Sequence, residues 1–310
     1  MTRRPGRDSR VVGLLAVFGS VVCFSLSYSV LKWPKVPGSV VAWWRLVGSS
    51  ILWWIVLLIR RSRTGRPLPT RATWKRTIPP GLLFGINISV LFTAVTRTSI
   101  AHAEFIAAML PFVMIPAGFM LFGERPKWRA LSWGALSLVG IAIVLFLGPK
   151  KGVATLNGDL LAVLGLASLS SYLLASKRAR GADGVDGVDT WEFMAIVMPV
   201  ALITATPVAF SIAGDEIWPL SGKTWAAAAI MSVLTGMVAH GMLAFAHRTV
   251  PIATMSAIQV SQPAISVFFA WLFLGELIRA VQIPGMALVM IGMALVMWFS
   301  QRTPTSDGGD

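Results

Sequence analysis

Two stretches decide how this chain is built: IAHAEFIAAMLPFVMIPAGFMLFGE at residues 100–124 and IATMSAIQVSQPAISVFFAWLFLGE at residues 252–276. Each opens on Ile-Ala, carries a proline at the same position (Pro111, Pro263) and closes on Gly-Glu (Gly123-Glu124, Gly275-Glu276). The offset of 152 also aligns Leu91 and Ala94 with Leu243 and Ala246. It aligns Gly140, Ala142 and Val144 with Gly292, Ala294 and Val296. Apolar matches come cheaply in so apolar a chain, but proline and Gly-Glu at fixed spacing do not. The chain is therefore read as a duplication.

The duplicated unit belongs in lipid. Of 310 residues, 55% are hydrophobic and 13% are charged, about half the ~25% charge of soluble domains. The mean hydropathy is +0.73. These values exclude a water-soluble globule, a disordered chain and a coiled coil. Ten apolar runs, at 11–31, 39–59, 78–97, 99–121, 130–148, 159–176, 193–213, 225–246, 251–274 and 281–300, are each about long enough to span a bilayer. None shows the ~10-residue alternation of a transmembrane strand, so all are expected to be helices, the only other way to satisfy a backbone in hydrocarbon. The first run is too long for a signal-peptide core and lacks a small-residue cleavage site. The lone cysteine, Cys23, excludes an intrachain disulfide.

The net charge of +14 reads as topology and not as a nucleic-acid site. With the N-terminus inside and ten spans, inner segments hold 19 of the 27 Lys and Arg and outer segments hold 7, with Arg45 inside a span. Each half has five spans, an odd number, so the second half enters the membrane from the opposite side. Glu124 then falls inside and Glu276 outside. Such inverted repeats are a hallmark of secondary transporters, whose site lies near the midplane where the halves meet. The expected fold class is thus an all-α membrane protein. It has ten transmembrane helices in two inverted-topology five-helix repeats, 11–148 and 159–301, around a central cavity. Segment 1–10 and a disordered tail at 302–310 lie in the cytoplasm, and a linker at 149–158 lies outside. Tryptophans near run ends (Trp33, Trp74, Trp191, Trp218, Trp225, Trp298) fit interfacial anchors.

Ten spans, the five-span repeat, the phrases Pro111…LFGERP and Pro263…LFLGEL, and the arginine early in the second span (Ala42-Trp43-Trp44-Arg45-Leu46) together resemble the EamA-type drug/metabolite transporters. The resemblance covers residues 11–300. It implies two inverted five-helix halves around a central cavity, both termini cytoplasmic, and often export of amino acids or other small metabolites. Glu104 and His240 fall outside the pattern that carries it.

Polar groups within the spans are the candidate site. Arg45 and Glu104 lie at matched depths, ~9 Å below the outer edge of the core, where a lone charge costs at least ~2.5–3.5 kcal/mol. At equal depth the two could pair as a structural ion pair, or one or both could face the cavity and meet substrate or proton; Arg45 could instead snorkel outward. His240, between Gly236 and Gly241, is expected to face the cavity, as a packing residue bonded to a carbonyl or as a titrating gate. Tyr28 and Tyr172, the only tyrosines, join an apolar ring to a donor and are candidates for substrate contact. So are Asn87, Gln259 and Gln262, the last beside Pro263, where a helix break would free carbonyls. Ser25, Ser27, Ser29, Ser168, Ser170 and Ser171 read first as helix packing. The motif residues Pro111, Gly123, Glu124, Pro263, Gly275 and Glu276 read as structural, with Glu124 facing Arg125 or Lys127 and Glu276 facing Arg279. His102 and Glu104 are two residues apart and point to different helix faces, so no metal site is expected. Asp183, Asp186 and Asp189 lie in a Gly-rich linker that lacks the terminal bidentate glutamate of a calcium loop. No cofactor is expected.

The expected function is a secondary transporter, an exporter on the resemblance, of a small neutral or zwitterionic metabolite such as an amino acid. No G-x4-G-K-[ST] signature appears. A phosphorylated substrate would need several midplane cations, and only Arg45 qualifies. Efflux of lipophilic cations drawn to Glu104 and a non-transporting scaffold are the alternatives; a membrane-embedded enzyme lacks any paired acids or motif. The expected partners are membrane lipid and the small-molecule substrate, in the cell membrane. The charge asymmetry predicts that cysteines introduced at Ser62 and Gly152 label from opposite sides of intact cells; equal labelling from outside would overturn the topology.

Overall fold

The computed structural model describes residues 7–122, 128–147, 155–180, 188–246, 250, 255 and 258–301. Among them every long regular element is helical. The first five spans of sequence become α1 (Arg7–Lys32), α2 (Gly38–Thr64), α3 (Arg71–Arg97), the pair α4 (Ile100–Ala107) and α5 (Leu110–Phe122), and α6 (Trp128–Leu147). There follow α7 (Leu156–Arg180), α8 (Thr190–Ala213), then α9 (Gly222–Val233), which runs through a π-helical segment (Leu234–Ala239) into α10 (His240–Ala246). The last are α11 (Gln262–Leu274) and α12 (Gln282–Gln301). Seven stretches are long and apolar enough to cross a membrane, and three shorter apolar helices lie at Ser132–Leu147, Gln262–Leu274 and Gln282–Val296. The chain is a multi-pass membrane protein.

Helices begin and end on local chemistry. The Thr70 and Ser99 hydroxyls accept the amides of Thr73 and His102, and Ser221 accepts that of Thr224, each covering a first-turn N–H that has no helical partner. At the far end of α11, Gly275 adopts φ +66° and hands its N–H to Trp271 O. A left-handed cap of that kind favours glycine, which accounts for the glycine of the Gly-Glu motif. Several helices overrun the apolar runs, as α2 does to Thr64 and α7 to Arg180, because charged interfacial residues extend a helix into water at no cost to its hydrogen bonds.

One expectation is corrected. The run 99–121 is not a single helix: it breaks between Ala107 and Leu110. Pro111 has no N–H to give the carbonyl of Ala107, and tighter bonds, Met109 N to Ile106 O and Phe112 N to Met109 O, close the turn. Its repeat mate Pro263 stands in the first turn of α11, where a missing N–H costs nothing.

The main core joins α1, α2, α3, α4, α7, α8, α9 and α11 through Leu31, Leu46, Trp53, Phe92, Ile100, Phe193, Met198, Met231 and their neighbours. A second cluster packs Phe105 of α4 against Val144, Val267 and Val289 of α6, α11 and α12. Lipid gives little hydrophobic drive for helices to associate, so close backbone approach matters more. α3 meets α8 at Gly85, where a Cβ would lie 2.1 Å from Ala201 O and 2.3 Å from Thr204 Oγ1. Thr204 closes the contact by donating to Leu82 O at 2.8 Å. α6 and α12 meet through Gly140, Gly285 and Gly292, with Ser137 donating to Val289 O. Large apolar side chains such as Leu15, Met120, Phe146 and Ile203 point outward, as lipid-facing positions do. Gly85→Val is expected to push α3 off α8 at a cost of about 1–3 kcal/mol, read as a lower melting temperature in detergent; an unchanged melt would mean that this approach is not under tension.

Candidate functional site

Arg45 lies on α2 about 10 Å along the helix from Gly38, in a position only 4% exposed. Its Nε donates to Thr235 Oγ1 at 3.0 Å and its guanidinium carbon stands 5.4 Å from the Phe92 ring centroid. Thr235 belongs to the π-helical segment, and the wider turn presents two groups to α2. One is the Thr235 hydroxyl; the other is the Gly236 carbonyl, which accepts Trp53 Nε1 at 2.7 Å. π-Bulges cluster at functional positions. Among the described residues Arg45 Nη1 has no hydrogen-bond partner, and it is sealed from solvent. A buried donor left unmade costs about 1–3 kcal/mol.

Glu104, 2% exposed, is the carboxylate of α4. It accepts the hydroxyl of Ser266 on α11, and the Gln262 amide faces the same carboxylate. Beside Pro263 the Gln262 carbonyl, which a helix break was expected to free, instead accepts Ser25 Oγ at 3.2 Å and ties α11 to α1.

The ion pair between Arg45 and Glu104 is not made. Each is turned to a neutral partner on a different helix, Arg45 to Thr235 and Glu104 to Ser266. Equal depth does not settle azimuth, and the two side chains leave their helices in different directions. Tyr28 is the side chain in electrostatic reach of both, and Tyr172 also lies within reach of Arg45. Tyr172 packs on Phe84 with centroids 4.8 Å apart. His240 joins the same neighbourhood. Its Nδ1 donates to Thr235 O at 2.5 Å, and its ring meets Phe24 edge-on at 5.4 Å. It is half-buried, bonded to a carbonyl in the way expected of a packing histidine.

Other expected residues lie elsewhere. Asn87 gives its amide to Gly165 O at 3.1 Å and Ser168 Oγ at 3.3 Å, joining α3 to α7. Gln259 is half-buried just before α11. Most of the serines bond their own helix, as Ser27 does to Phe24 O and Ser170 to Leu166 O. Gly123, Glu124, Asp183 and Asp186 lie outside the described residues. Asp189, placed in the linker by sequence, pairs with Arg60, whose guanidinium lies over Trp191. Four residues were missed. Ser266 and Thr235 carried a signal only in spacing, four residues after Gln262 and five before His240. Phe92 and Trp53 had none.

At one end of the bundle Glu276 does not face Arg279, as the sequence implied, but ties three segments together. Its Oε1 meets Lys32 Nζ at 2.6 Å, and its Oε2 accepts Ile100 N at 3.0 Å. Lys32 Nζ also donates to Thr98 O at 2.5 Å. Beside this knot Asp159 of α7 accepts Thr98 Oγ1 at 2.5 Å and meets His102 Nδ1 at 3.0 Å. The ends of α1, α3 and α11 and the start of α4 are thereby fastened over the site. In a double-mutant cycle, Lys32→Ala and Glu276→Ala are expected to couple by about 0.5–3 kcal/mol. Arg279→Ala is expected to show no coupling to Glu276→Ala. The reverse pattern would return Glu276 to its sequence neighbour.

Comparison with known proteins places this arrangement. The sequence pattern of the EamA-like transporter family matches residues 11–146 and 156–298. The chain is similar to the threonine/homoserine exporter RhtA of Salmonella typhimurium, 25% identical over 175 residues. That match spans 56% of this chain and 56% of the exporter's length. It is also similar to the uncharacterized transporter YwfM of Bacillus subtilis, 22% identical over 221 residues, covering 70% of this chain and 71% of that one. A solved structure described only as the crystal structure of a protein superposes with a TM-score of 0.60 at 18% identity, covering 93% of this chain and 98% of its own; it shares the fold. With both stretches of the family matched over nearly the whole length, the chain belongs to the EamA-like transporter family.

Proposed function

We propose that this transporter exports a small zwitterionic metabolite of the amino-acid class, and that Arg45 and Glu104 hold its two ends. The observation that carries the proposal is the sealed, unpartnered Nη1 of Arg45, with Glu104 set apart from it and Tyr28 in reach of both. A substrate carboxylate answers the guanidinium with a charge-assisted hydrogen bond. An ammonium group answers Glu104. Tyr28 and Tyr172 line the space between with a ring and a hydroxyl each. A lipophilic cation would satisfy Glu104 and leave Arg45 unmet, so efflux of such cations is the weaker reading. That the similar RhtA protein is named a threonine/homoserine exporter is consistent with a zwitterion.

The proposed frame is ten spans in two inverted halves, 11–148 and 159–301, around a central cavity in the cell membrane, with both termini cytoplasmic. Helix packing supports it. Under exchange of halves, α3 against α7 corresponds to α10 against α1, and α3 against α8 corresponds to α9 against α2; all four contacts are present. Likewise α1 against α11 corresponds to α7 against α4, and α6 packs on its own counterpart α12.

The test is counterflow of labelled threonine, homoserine and tetraphenylphosphonium in proteoliposomes. Saturable amino-acid flux is expected. Arg45→Gln and Glu104→Gln should each fold, because each wild-type group already has a neutral partner, and each should lower flux at least tenfold. The double variant should be no better than either single. Recovery of flux in the double variant would make the two a structural pair. Transport of the phosphonium alone would overturn the zwitterion.

A further inference from the structure

A groove that the transport site does not use opens where α3 begins and α7 ends. Its volume is about 480 Å³, in the range of sites that hold small organic molecules. Its walls are apolar: Pro79 and Pro80 of α3, Leu121 of α5 and the neighbouring face of α7. Its rim is cationic: Lys75 and Arg76 from the start of α3 and Arg178 from the last turn of α7. None of its described lining residues is acidic. Lys75, Arg178 and Leu121 are exposed, so both the charged rim and the apolar wall are reachable from outside the bundle.

We propose that this groove binds the phosphodiester headgroup of an anionic phospholipid with a glycerol-type head. The groove lies where two spans pass from apolar to charged residues, which is the depth of the headgroup layer. A basic pocket between spans at that depth is where anionic headgroups are held. The arrangement is itself amphiphilic. Arg178 offers a planar fork to the phosphate and Lys75 a point charge, while Leu121 and the two prolines receive the first methylenes of the acyl chains. Arg180, two residues on, does not join, because it is held by Thr190 at 3.0 Å and lies over Phe193. The prolines also thin the helix's own bonding: Pro79 has no N–H for the carbonyl of Lys75 four residues earlier, and we take that oxygen as an acceptor for a headgroup hydroxyl. A choline head has no donor to give it, whereas a glycerol head has two. A free phosphate ion would meet the cations but leave the apolar wall uncovered.

The test is native mass spectrometry of the full chain released from detergent, with phosphatidylglycerol or phosphatidylcholine added at equal levels, together with melting temperatures in the same mixtures. Phosphatidylglycerol is expected to remain bound and to raise the melting temperature, phosphatidylcholine is not, and inorganic phosphate at millimolar levels is expected neither to bind nor to displace the lipid. The double variant Lys75→Gln, Arg178→Gln should lower phosphatidylglycerol retention at least tenfold, and Arg180→Gln should not. Equal retention of the two lipids by the wild-type protein would overturn the site, whether or not the double variant folds. Displacement by inorganic phosphate would make it a soluble-anion site and overturn the lipid assignment.

Discussion

The constraint on which everything else rests is that lipid supplies no hydrogen bonds to a backbone. It turns every apolar run into a helix, and it makes any interruption of a helix costly unless another helix repairs it. The interruptions in this chain are repaired, and by groups near the site. In the first turn of α11, beside Pro263, the Gln262 carbonyl also accepts Ser25 Oγ of α1. The π-helical turn of span eight has its Thr235 carbonyl taken by His240 and its Gly236 carbonyl by Trp53. The break at Ala107–Leu110 is closed differently, by the tighter bonds of its own turn.

The same constraint explains why Arg45 and Glu104 stand apart. A buried ion pair would neutralise both charges, but each group is bonded instead to a neutral partner. Neutral donors and acceptors hold each group in place without cancelling its charge. Arg45 Nη1 has no hydrogen-bond partner among the described residues, and the Glu104 carboxyl lies beside two neutral groups of α11. Such an interior is less stable than a paired one. Violations of packing logic of this kind are expected at working sites.

Much of this was legible in the sequence. The repeat, the apolar runs and the family motifs announced a helical membrane transporter, and polarity within the spans singled out Arg45, Glu104, His240 and the two tyrosines. What was not legible was direction around a helix axis across unlike partners. Depth along a span can be counted at 1.5 Å per residue, so Arg45 and Glu104 were placed level; their azimuths depend on how α2 and α4 are rolled against α9 and α11, which no spacing encodes. Glu276 was misread for the same reason. Sequence neighbours suggested Arg279, but the left-handed turn at Gly275 swings the next residue back over the bundle toward Lys32. Asn87, also polar and within a span, serves to join α3 to α7, because polarity within a span announces a partner without saying whether it is a ligand or a neighbouring helix.

The way polar groups are shared between the halves has a consequence for biosynthesis. Ser25, Lys32, Arg45, Ile100 N–H and Glu104 all lie in the first half, yet each finds a partner in the second: Gln262, Glu276, Thr235, Glu276 and Ser266. A ribosome delivers the first five spans to the bilayer long before those partners exist. During that interval the nascent half carries a guanidinium and a carboxylate in hydrocarbon without their eventual companions, and must shelter them against the insertion machinery, against water, or against each other. Until the later helices are made, these groups of α1 to α4 lack the partners they hold in the folded chain.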